Sequence, residues 1–284
     1  MDSGQMDLGS TLQLNDGARI PRLGVGTYKV PDADTPAVVE AALAAGYRHI
    51  DTAALYGNEV GVGRGIRSAL HGQPGLERAD LFVTTKVWNT EHGFDSTLRA
   101  FDASLDALGL DHVELYLIHW PAPAQNLYVE TWRALVRLRE EGRARSIGVS
   151  NFHRQHLERI IDDSGVVPAV NQIELQPWLA QAELRALHAE LGIVTEAWSP
   201  LARGRAVTDP VLAEIGLRHG KSAAQVTIRW QLQLGNVVIP KSLSAARLRA
   251  NADVFDFELD AAEVAAIAAL DSGERSGSDP ELVD

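Results

Sequence analysis

The sequence predicts an α/β protein folded as a (β/α)8 TIM barrel, and two observations lead to this fold class. Short apolar, β-branched runs recur along the chain and are separated by stretches with helical periodicity. There are eight such runs, and eight strands that alternate with helices are expected to form parallel βαβ units. An open, doubly wound sheet is the competing architecture, but an even series of eight units favours closure into a barrel.

Each predicted strand is a short run of mostly apolar residues. The intervening helices are clearest at Pro36–Leu43, Leu98–Leu108 and Val129–Leu138, where apolar residues recur three and four positions apart. In chain order, the predicted strands are Leu23–Val25, Tyr47–Ile50, Leu81–Thr85, Val113–Ile118, Arg145–Val149, Ala169–Ile173, Ile193–Ala197 and Val237–Ile239.

The two ends of the chain carry different patterns. Residues 11–20 contain Asn15-Asp16-Gly17, a favourable hairpin turn, so we expect an N-terminal β-hairpin that covers the bottom of the barrel. Residues 273–284 are rich in Gly, Ser and charge, which predicts a loosely ordered tail. No linker divides the chain, so residues 1–284 are expected to form a single domain.

Composition excludes several classes of function. The 284 residues, of which 45% are hydrophobic, suit one barrel, and a net charge of −12 argues against a nucleic-acid partner. The chain has no cysteine, which excludes disulfides, thiolate catalysis and cysteine-based zinc sites. The segment Met1–Thr11 is polar and acidic, and no apolar run approaches the ~20 residues of a membrane span. We therefore expect a cytoplasmic protein without a membrane partner.

Functional side chains follow the predicted strands. Chemistry in such barrels gathers at the carboxyl ends of the strands. Three consecutive strands lead into an ionisable group: Asp51 after the second, Lys86 after the third and His119 after the fourth. One such residue would carry no significance, but three in succession predict a functional site. The later strands carry or lead into Ser150, Asn151, Gln172, Trp198, Ser199, Lys241 and Ser242.

Four longer motifs lie at these same positions. They are DTAALYGNE at Asp51–Glu59, LIHWP at Leu117–Pro121, IGVSNF at Ile147–Phe152 and IPKS at Ile239–Ser242. In this order and spacing, the sequence resembles the aldo-keto reductase family. The short ending is similar to bacterial members that act on keto-sugar acids and small dicarbonyls, such as 2,5-diketo-D-gluconate reductases. The resemblance implies a monomeric enzyme that reduces a small carbonyl substrate to an alcohol with NADPH.

The resemblance also implies a catalytic tetrad of Asp51, Tyr56, Lys86 and His119. Hydride attack on a carbonyl develops an oxyanion that needs a proton, and an isolated Tyr, with a pKa of about 10, is a weak donor. An ammonium at Lys86 would lower the pKa of Tyr56, and Asp51 would keep Lys86 charged. His119 would hydrogen-bond the carbonyl and orient the substrate.

A cofactor site follows from the same resemblance. Ser150, Asn151 and Gln172 would bind the nicotinamide carboxamide, because hydroxyl and amide groups suit its donors and acceptor. Trp198 would stack on the nicotinamide ring. Ala250 departs from the family, which usually has an acidic adenine contact there. The remaining implied contacts are Ser199 and Leu201 in the pyrophosphate loop, Lys241, Ser242 and Arg247 at the adenosine 2′-phosphate, and Asn251 at the adenine.

The substrate pocket implied by matching position is lined by Tyr28, Trp88, Asn89 and Trp120. Three aromatic rings around a catalytic Tyr suit small apolar or mixed carbonyls.

Two further patterns suggest other functions. Gly61, Gly63 and Gly65 resemble a dinucleotide fingerprint, but their spacing is wrong and no strand precedes them, so we expect close packing in a helix. His49 and Asp51 on one strand face would suit a metal-dependent barrel hydrolase, but no second cluster has ligand spacing, and we predict no metal site. A non-enzymatic, NADPH-binding regulatory barrel is the third alternative. It would not need the tetrad, whose presence favours an enzyme.

Overall fold

The computed structural model describes residues 6–284, so the first part of the acidic N-terminal segment lies outside the described residues. A hairpin of β1 (Thr11–Gln13) and β2 (Arg19–Pro21) precedes an eight-stranded parallel sheet. The strands of that sheet, adjacent in chain order, are β3 (Gly24–Gly26), β4 (His49–Asp51), β5 (Phe82–Val87), β6 (Val113–Ile118), β7 (Ala144–Ser150), β8 (Val170–Glu174), β9 (Val194–Trp198) and β10 (Val237–Val238).

The sheet closes on itself. Leu23 and Val238 form a parallel bridge between the first and last strands. The backbone N–H of Val238 donates to the carbonyl of Arg22 at 2.9 Å, and the N–H of Gly26 donates to the carbonyl of Pro240 at 3.2 Å. The predicted (β/α)8 barrel is therefore confirmed, and the open sheet is not formed.

Helices surround the barrel, and the three that the sequence predicted are confirmed within longer helices. None of the helices between residues 6 and 284 is long and apolar enough to cross a membrane. They are α1 (Thr35–Ala44), α2 (Glu59–Gly72), α3 (Phe94–Leu108), α4 (Tyr128–Glu140), α5 (Arg154–Ser164), α6 (Ala182–Leu191), α7 (Pro210–His219), α8 (Ala223–Gln233), α9 (Ala245–Ala252) and α10 (Ala261–Ala268).

The hairpin covers one end of the barrel, as the sequence predicted. Leu14 and Ile20 are buried in an apolar cluster with Phe82 and Val170, which begin β5 and β8. The side-chain amide of Asn15 also donates to the carbonyl of Pro168, at 2.9 Å. Because this end is closed, the carboxyl ends of the strands face the open end.

Three glycines of α2 allow its neighbours to approach closely. A Cβ on Gly63 would lie 2.0 Å from the carbonyl oxygen of Leu108, and one on Gly61 would lie 2.6 Å from that of Asp32. A Cβ on Gly65 would lie 2.9 Å from the carbonyl oxygen of Pro36. These contacts confirm close helix packing in place of a dinucleotide fingerprint.

Residues 273–284 are folded against the barrel, so the expectation of a loosely ordered tail is wrong. Glu174, the completely buried last residue of β8, accepts the backbone N–H of Ser276 at 2.6 Å and that of Gly277 at 2.9 Å. A Cβ on Gly277 would lie 2.4 Å from the Trp198 ring, so the tail passes directly over this side chain. A buried carboxylate acceptor orders the segment in spite of its polar composition.

A second contact holds the tail at the start of α5. Glu281 accepts hydrogen bonds from His153 Nδ1 at 2.6 Å and from Gln155 Nε2 at 3.0 Å. His156 Nδ1 accepts the backbone N–H of His153 at 3.1 Å, so in the neutral ring the proton lies on Nε2, which is 3.6 Å from Glu281. His153, His156 and Glu281 could be taken for metal ligands, but His153 Nδ1 and Glu281 are hydrogen-bonded to each other, and His156 Nδ1 already accepts a backbone N–H.

Candidate active site

A buried ion pair lies at the carboxyl ends of β4 and β5. Lys86 Nζ donates to both carboxylate oxygens of Asp51 at 2.8 Å and to the carbonyl of Thr52 at 2.9 Å. Both side chains are almost completely enclosed. Burial alone would lower the pKa of Lys86, but the charge of Asp51 and its hydrogen bonds outweigh burial and raise that pKa. Lys86 is therefore an ammonium at neutral pH.

Tyr56 lies in a 3₁₀ turn, Ala54–Tyr56, directly after β4. Its hydroxyl is 3.4 Å from Lys86 Nζ. Burial is the largest influence and raises the pKa of Tyr56 to about 12, although Lys86 lowers it as the sequence analysis expected. The expectation of a lowered pKa is therefore wrong for this structure, because it considered Lys86 without burial or the charge of Asp51. The phenol is protonated at neutral pH and has a proton to give.

His119 follows β6 and completes the predicted tetrad. Its ring centroid is 5.6 Å from that of Tyr56 and 5.2 Å from that of Trp88. Burial and then the charge of Lys86 hold the pKa of His119 well below its usual value, so the imidazole is neutral. All four predicted tetrad residues therefore lie together at the open end of the barrel.

A polar network from β7, β8 and β9 adjoins the tetrad. Asn151, in a left-handed conformation with φ of 64°, donates through Nδ2 to the carbonyl of His119 at 3.0 Å. Trp198 Nε1 donates to Asn151 Oδ1 at 2.9 Å. Ser150 Oγ donates to the carbonyl of Gln172 at 2.8 Å. The side chains predicted for the nicotinamide end are thus brought together.

The Gln172 side chain joins this network to the ion pair. Its Nε2 donates to Asp51 Oδ2 at 2.8 Å and to Glu196 Oε2 at 2.9 Å. Both amide hydrogens are used, so the carbonyl Oε1 is left to accept a hydrogen bond, which fits the N–H donors of a carboxamide. Glu196 was not among the predicted site residues, although a carboxylate within the apolar run Ile193–Ala197 is a signal of a buried polar role.

The residues predicted for the phosphates lie around β10 and α9. Lys241 and Arg247 are exposed, whereas Ser242 and Asn251 are buried. Ser244 caps α9 by accepting the backbone N–H of Arg247 at 3.4 Å. A helix N-terminus with two nearby cations fits a phosphate group.

The loop predicted to bind the pyrophosphate begins directly after β9. Ser199 has φ of 48°, and Ala202 and Arg203 have φ of 47° and 53°. Ser199 and Leu201 are both half-buried. Left-handed backbone at non-glycine residues is strained and is often found in loops that bind ligands.

Aromatic rings surround the tetrad, as predicted for the pocket. Tyr28 is 46% exposed, and its ring centroid is 5.0 Å from that of Tyr56. The Trp120 ring lies 6.3 Å from that of Trp198. Asn89 differs, because it is only 1% exposed and does not line an open surface. Its contact with a substrate stays a prediction.

His49 is not arranged with Asp51 as a metal ligand. Its Nε2 lies 3.0 Å from Thr84 Oγ1, and burial lowers its pKa to about 3. Both oxygens of Asp51 accept from Lys86, and one also accepts from Gln172. The arrangement gives no support to the hydrolase alternative.

A closed barrel with this ion pair, phenol and amide network defines an oxidoreductase that uses a nicotinamide cofactor. The chain belongs to the Aldo/keto reductase family, whose sequence profile matches residues 22–272. This confirms the resemblance found in the sequence and favours an enzyme over the regulatory barrel and the hydrolase.

Three known proteins illustrate the relationship. The chain is 56% identical over 268 residues to an aldo-keto reductase from Mycobacterium sp. (strain KMS), which covers 94% of this chain and 95% of the relative. It is 47% identical over 279 residues to the methylglyoxal reductase DkgA from Yersinia pestis, covering 98% of each. A crystal structure of a Gox0644 mutant in complex with NADPH matches with a TM-score of 0.91 and 47% identity, over 97% of this chain and 98% of that chain.

Proposed function

We propose that this enzyme reduces aldehydes and ketones to alcohols, with NADPH as the hydride donor and Tyr56 as the proton donor. One observation carries the proposal: the Tyr56 hydroxyl lies 3.4 Å from the ammonium of Lys86. That ammonium is held by Asp51 through two contacts of 2.8 Å. A phenol beside a fixed positive charge is an acid whose conjugate base is stabilised.

Each tetrad residue has a role in proton transfer. When bound, the cofactor supplies the hydride to the carbonyl carbon. Tyr56 gives its proton to the carbonyl oxygen, on which negative charge develops. Lys86 stabilises the phenolate that remains, and Asp51 keeps Lys86 charged and in place. His119, which is neutral, hydrogen-bonds the carbonyl and orients it.

The cofactor contacts follow from the polar network. Gln172 Oε1, with Asn151 and Ser150, would hold the carboxamide, and Trp198 would support one face of the nicotinamide ring. At the other end, Lys241 and Arg247 flank the start of α9 and would bind the adenosine 2′-phosphate. Ser242, Asn251 and the loop containing Ser199 and Leu201 would complete the site.

We propose small dicarbonyls and keto-sugars as substrates. The relative from Yersinia pestis is a methylglyoxal reductase. Tyr28, Trp88 and Trp120 form apolar walls around a polar reaction centre, which suits a short substrate with two carbonyl groups.

The deciding experiment is Tyr56→Phe. This variant removes only the hydroxyl, so we expect turnover to fall by at least about 10²–10⁴-fold while NADPH affinity is little changed. NADPH oxidation would be followed with aldehydes, α-diketones and keto-sugars, and NADPH binding by fluorescence titration. Tyr116→Phe is the matched control, because Tyr116 is completely buried in β6 and its ring packs against Phe101 of α3. Turnover of Tyr56→Phe near that of the unmodified enzyme would show that another group supplies the proton.

We further propose that the enzyme acts as a monomer in the cytoplasm on a diffusible carbonyl compound. All side chains assigned to the site come from one barrel, so the chemistry needs no second copy. Sedimentation at assay concentrations would test this, and activity confined to a dimer would contradict it.

A further inference from the structure

One buried carboxyl group has no role in the reaction as described. Glu196 lies in β9 and is completely buried. Its Oε2 accepts from Gln172 Nε2 at 2.9 Å. Its Oε1 lies 3.6 Å from His49 Nε2 and has no hydrogen-bond partner within the part of the chain that the structure describes.

The contact to Glu196 fixes the orientation of an amide. Gln172 Nε2 donates both of its hydrogens, one to Asp51 and one to Glu196. A flipped amide would place its carbonyl oxygen against the charged carboxylate of Asp51, which is unfavourable, and the unflipped amide donates its second hydrogen to Glu196. The carbonyl of Gln172 is thereby left for the nicotinamide carboxamide.

Charge in this part of the barrel is unevenly distributed. The titratable groups around Glu196 are His49 and Asp51 on β4 and Lys86 on β5, and Lys86 makes its contacts with Asp51. Among the described residues, no lysine or arginine forms an ion pair with Glu196. Burial, and next the charge of Asp51, raise the pKa of Glu196 to about 8, against smaller opposing effects of Gln172 and Lys86.

We propose that Glu196 is a positioning residue that acts as a neutral acid, fixing the amide of Gln172 and keeping a second negative charge away from the Lys86–Asp51 pair. This inference rests on the proposed function of Tyr56 as proton donor. When Glu196 ionises, the added negative charge disfavours the Tyr56 phenolate and makes the phenol a weaker acid. Reduction by the enzyme should therefore slow as pH rises through about 8.

The first test is Glu196→Gln. This side chain has nearly the same shape, cannot ionise, and retains a carbonyl that accepts from Gln172. We expect NADPH affinity and turnover at neutral pH to stay near those of the unmodified enzyme. In the unmodified enzyme, ionisation of Glu196 should lower turnover by about tenfold if it raises the pKa of Tyr56 by about one unit. This decline at alkaline pH should disappear in Glu196→Gln.

The second test is Glu196→Leu, which removes the acceptor. We expect NADPH affinity, measured by fluorescence titration without turnover, to weaken by about tenfold, as for loss of one buried hydrogen-bond partner. Glu59→Gln is the matched control. Glu59 is also a buried acid, accepts from Thr85 Oγ1 at 2.6 Å and lies in α2. This variant should retain the alkaline decline and the NADPH affinity.

The outcomes separate the two proposals. An unchanged alkaline decline in Glu196→Gln, or unchanged NADPH affinity in Glu196→Leu, would overturn the role of Glu196. If Glu196→Leu does not fold, the pH profile of Glu196→Gln decides alone. Full turnover in Tyr56→Phe would instead overturn the proton donor, and the NADPH titrations would still report on Glu196.

Discussion

Replacement of Lys86 by Met would remove the positive charge beside Tyr56 while keeping a long, unbranched side chain. In the structure, the ammonium lies 3.4 Å from the hydroxyl that would become a phenolate. At an effective dielectric constant of about 20, two unit charges at this distance interact by about 5 kcal/mol. Only part of the phenolate charge is developed in the transition state, so we expect turnover to fall by about 10²–10³-fold, or about 3–4 kcal/mol.

The same substitution should also reduce stability. Asp51 would remain buried without its cation, which typically costs about 3–5 kcal/mol of unfolding free energy. The double variant Asp51→Asn, Lys86→Met removes both charges and separates the two effects. It should recover much of the stability, measured by urea unfolding, but none of the turnover.

The assay is single-turnover NADPH oxidation with excess enzyme, because this reports the chemical step without product release. The alkaline limb of the pH profile, which we assign to Glu196, should move upward in Lys86→Met, because the positive charge of Lys86 lowers the pKa of Glu196 and its loss would raise that pKa. An active Lys86→Met enzyme with an unshifted pH profile would refute the reasoning. Recovery of turnover in the double variant would show that instability alone had caused the loss.

Two further predictions concern cofactor choice and helix packing. The enzyme should prefer NADPH over NADH by about 10² or more, because two cations on the 2′-phosphate contribute about 1.5–3 kcal/mol each. Arg247→Ala and Lys241→Ala should each lower the ratio of kcat/KM values about tenfold. Arg249→Ala should not, because Arg249 is an exposed residue in the last turn of α9, away from the helix start. Equal use of NADH by the unmodified enzyme would contradict this assignment. Gly63→Ala should destabilise the fold by about 1–3 kcal/mol, because the new Cβ would lie 2.0 Å from the Leu108 carbonyl oxygen. Gly72→Ala, in the same helix, is the control, because a Cβ there would have no atom within 4 Å. Equal denaturation midpoints for the two glycine variants would count against this packing argument.

The barrel and the clustering of Asp51, Lys86 and His119 could be predicted from local strand patterns, whereas Tyr56 was added by the family resemblance. Asp51 and Lys86 directly follow or end apolar runs, and parallel strands bring such positions to one end of the barrel. The role of Glu196 could not be predicted in this way. Its partner Gln172 lies 24 residues away, and a strand pattern does not say which buried side chains meet inside the barrel.

The tail and the acidity of Tyr56 were missed for related reasons. The acceptor for Ser276 is Glu174, which is 102 residues away in the chain, so composition alone predicted loose order. The pKa of Tyr56 depends on how completely the folded protein excludes water from the hydroxyl, and residue identity does not give this. Asn89 was assigned to the pocket by matching position; its side chain is buried, and its contact with a substrate stays a prediction.

The passage of the tail over Trp198 places the last residues of the chain next to the proposed cofactor site. Gly277 contacts this ring from the tail, while Asn151 holds the indole nitrogen from the barrel. If Trp198 supports the nicotinamide as proposed, the C-terminal segment is also part of the surroundings of the cofactor. Substitutions at Gly277 are then expected to alter cofactor binding before they alter the barrel itself.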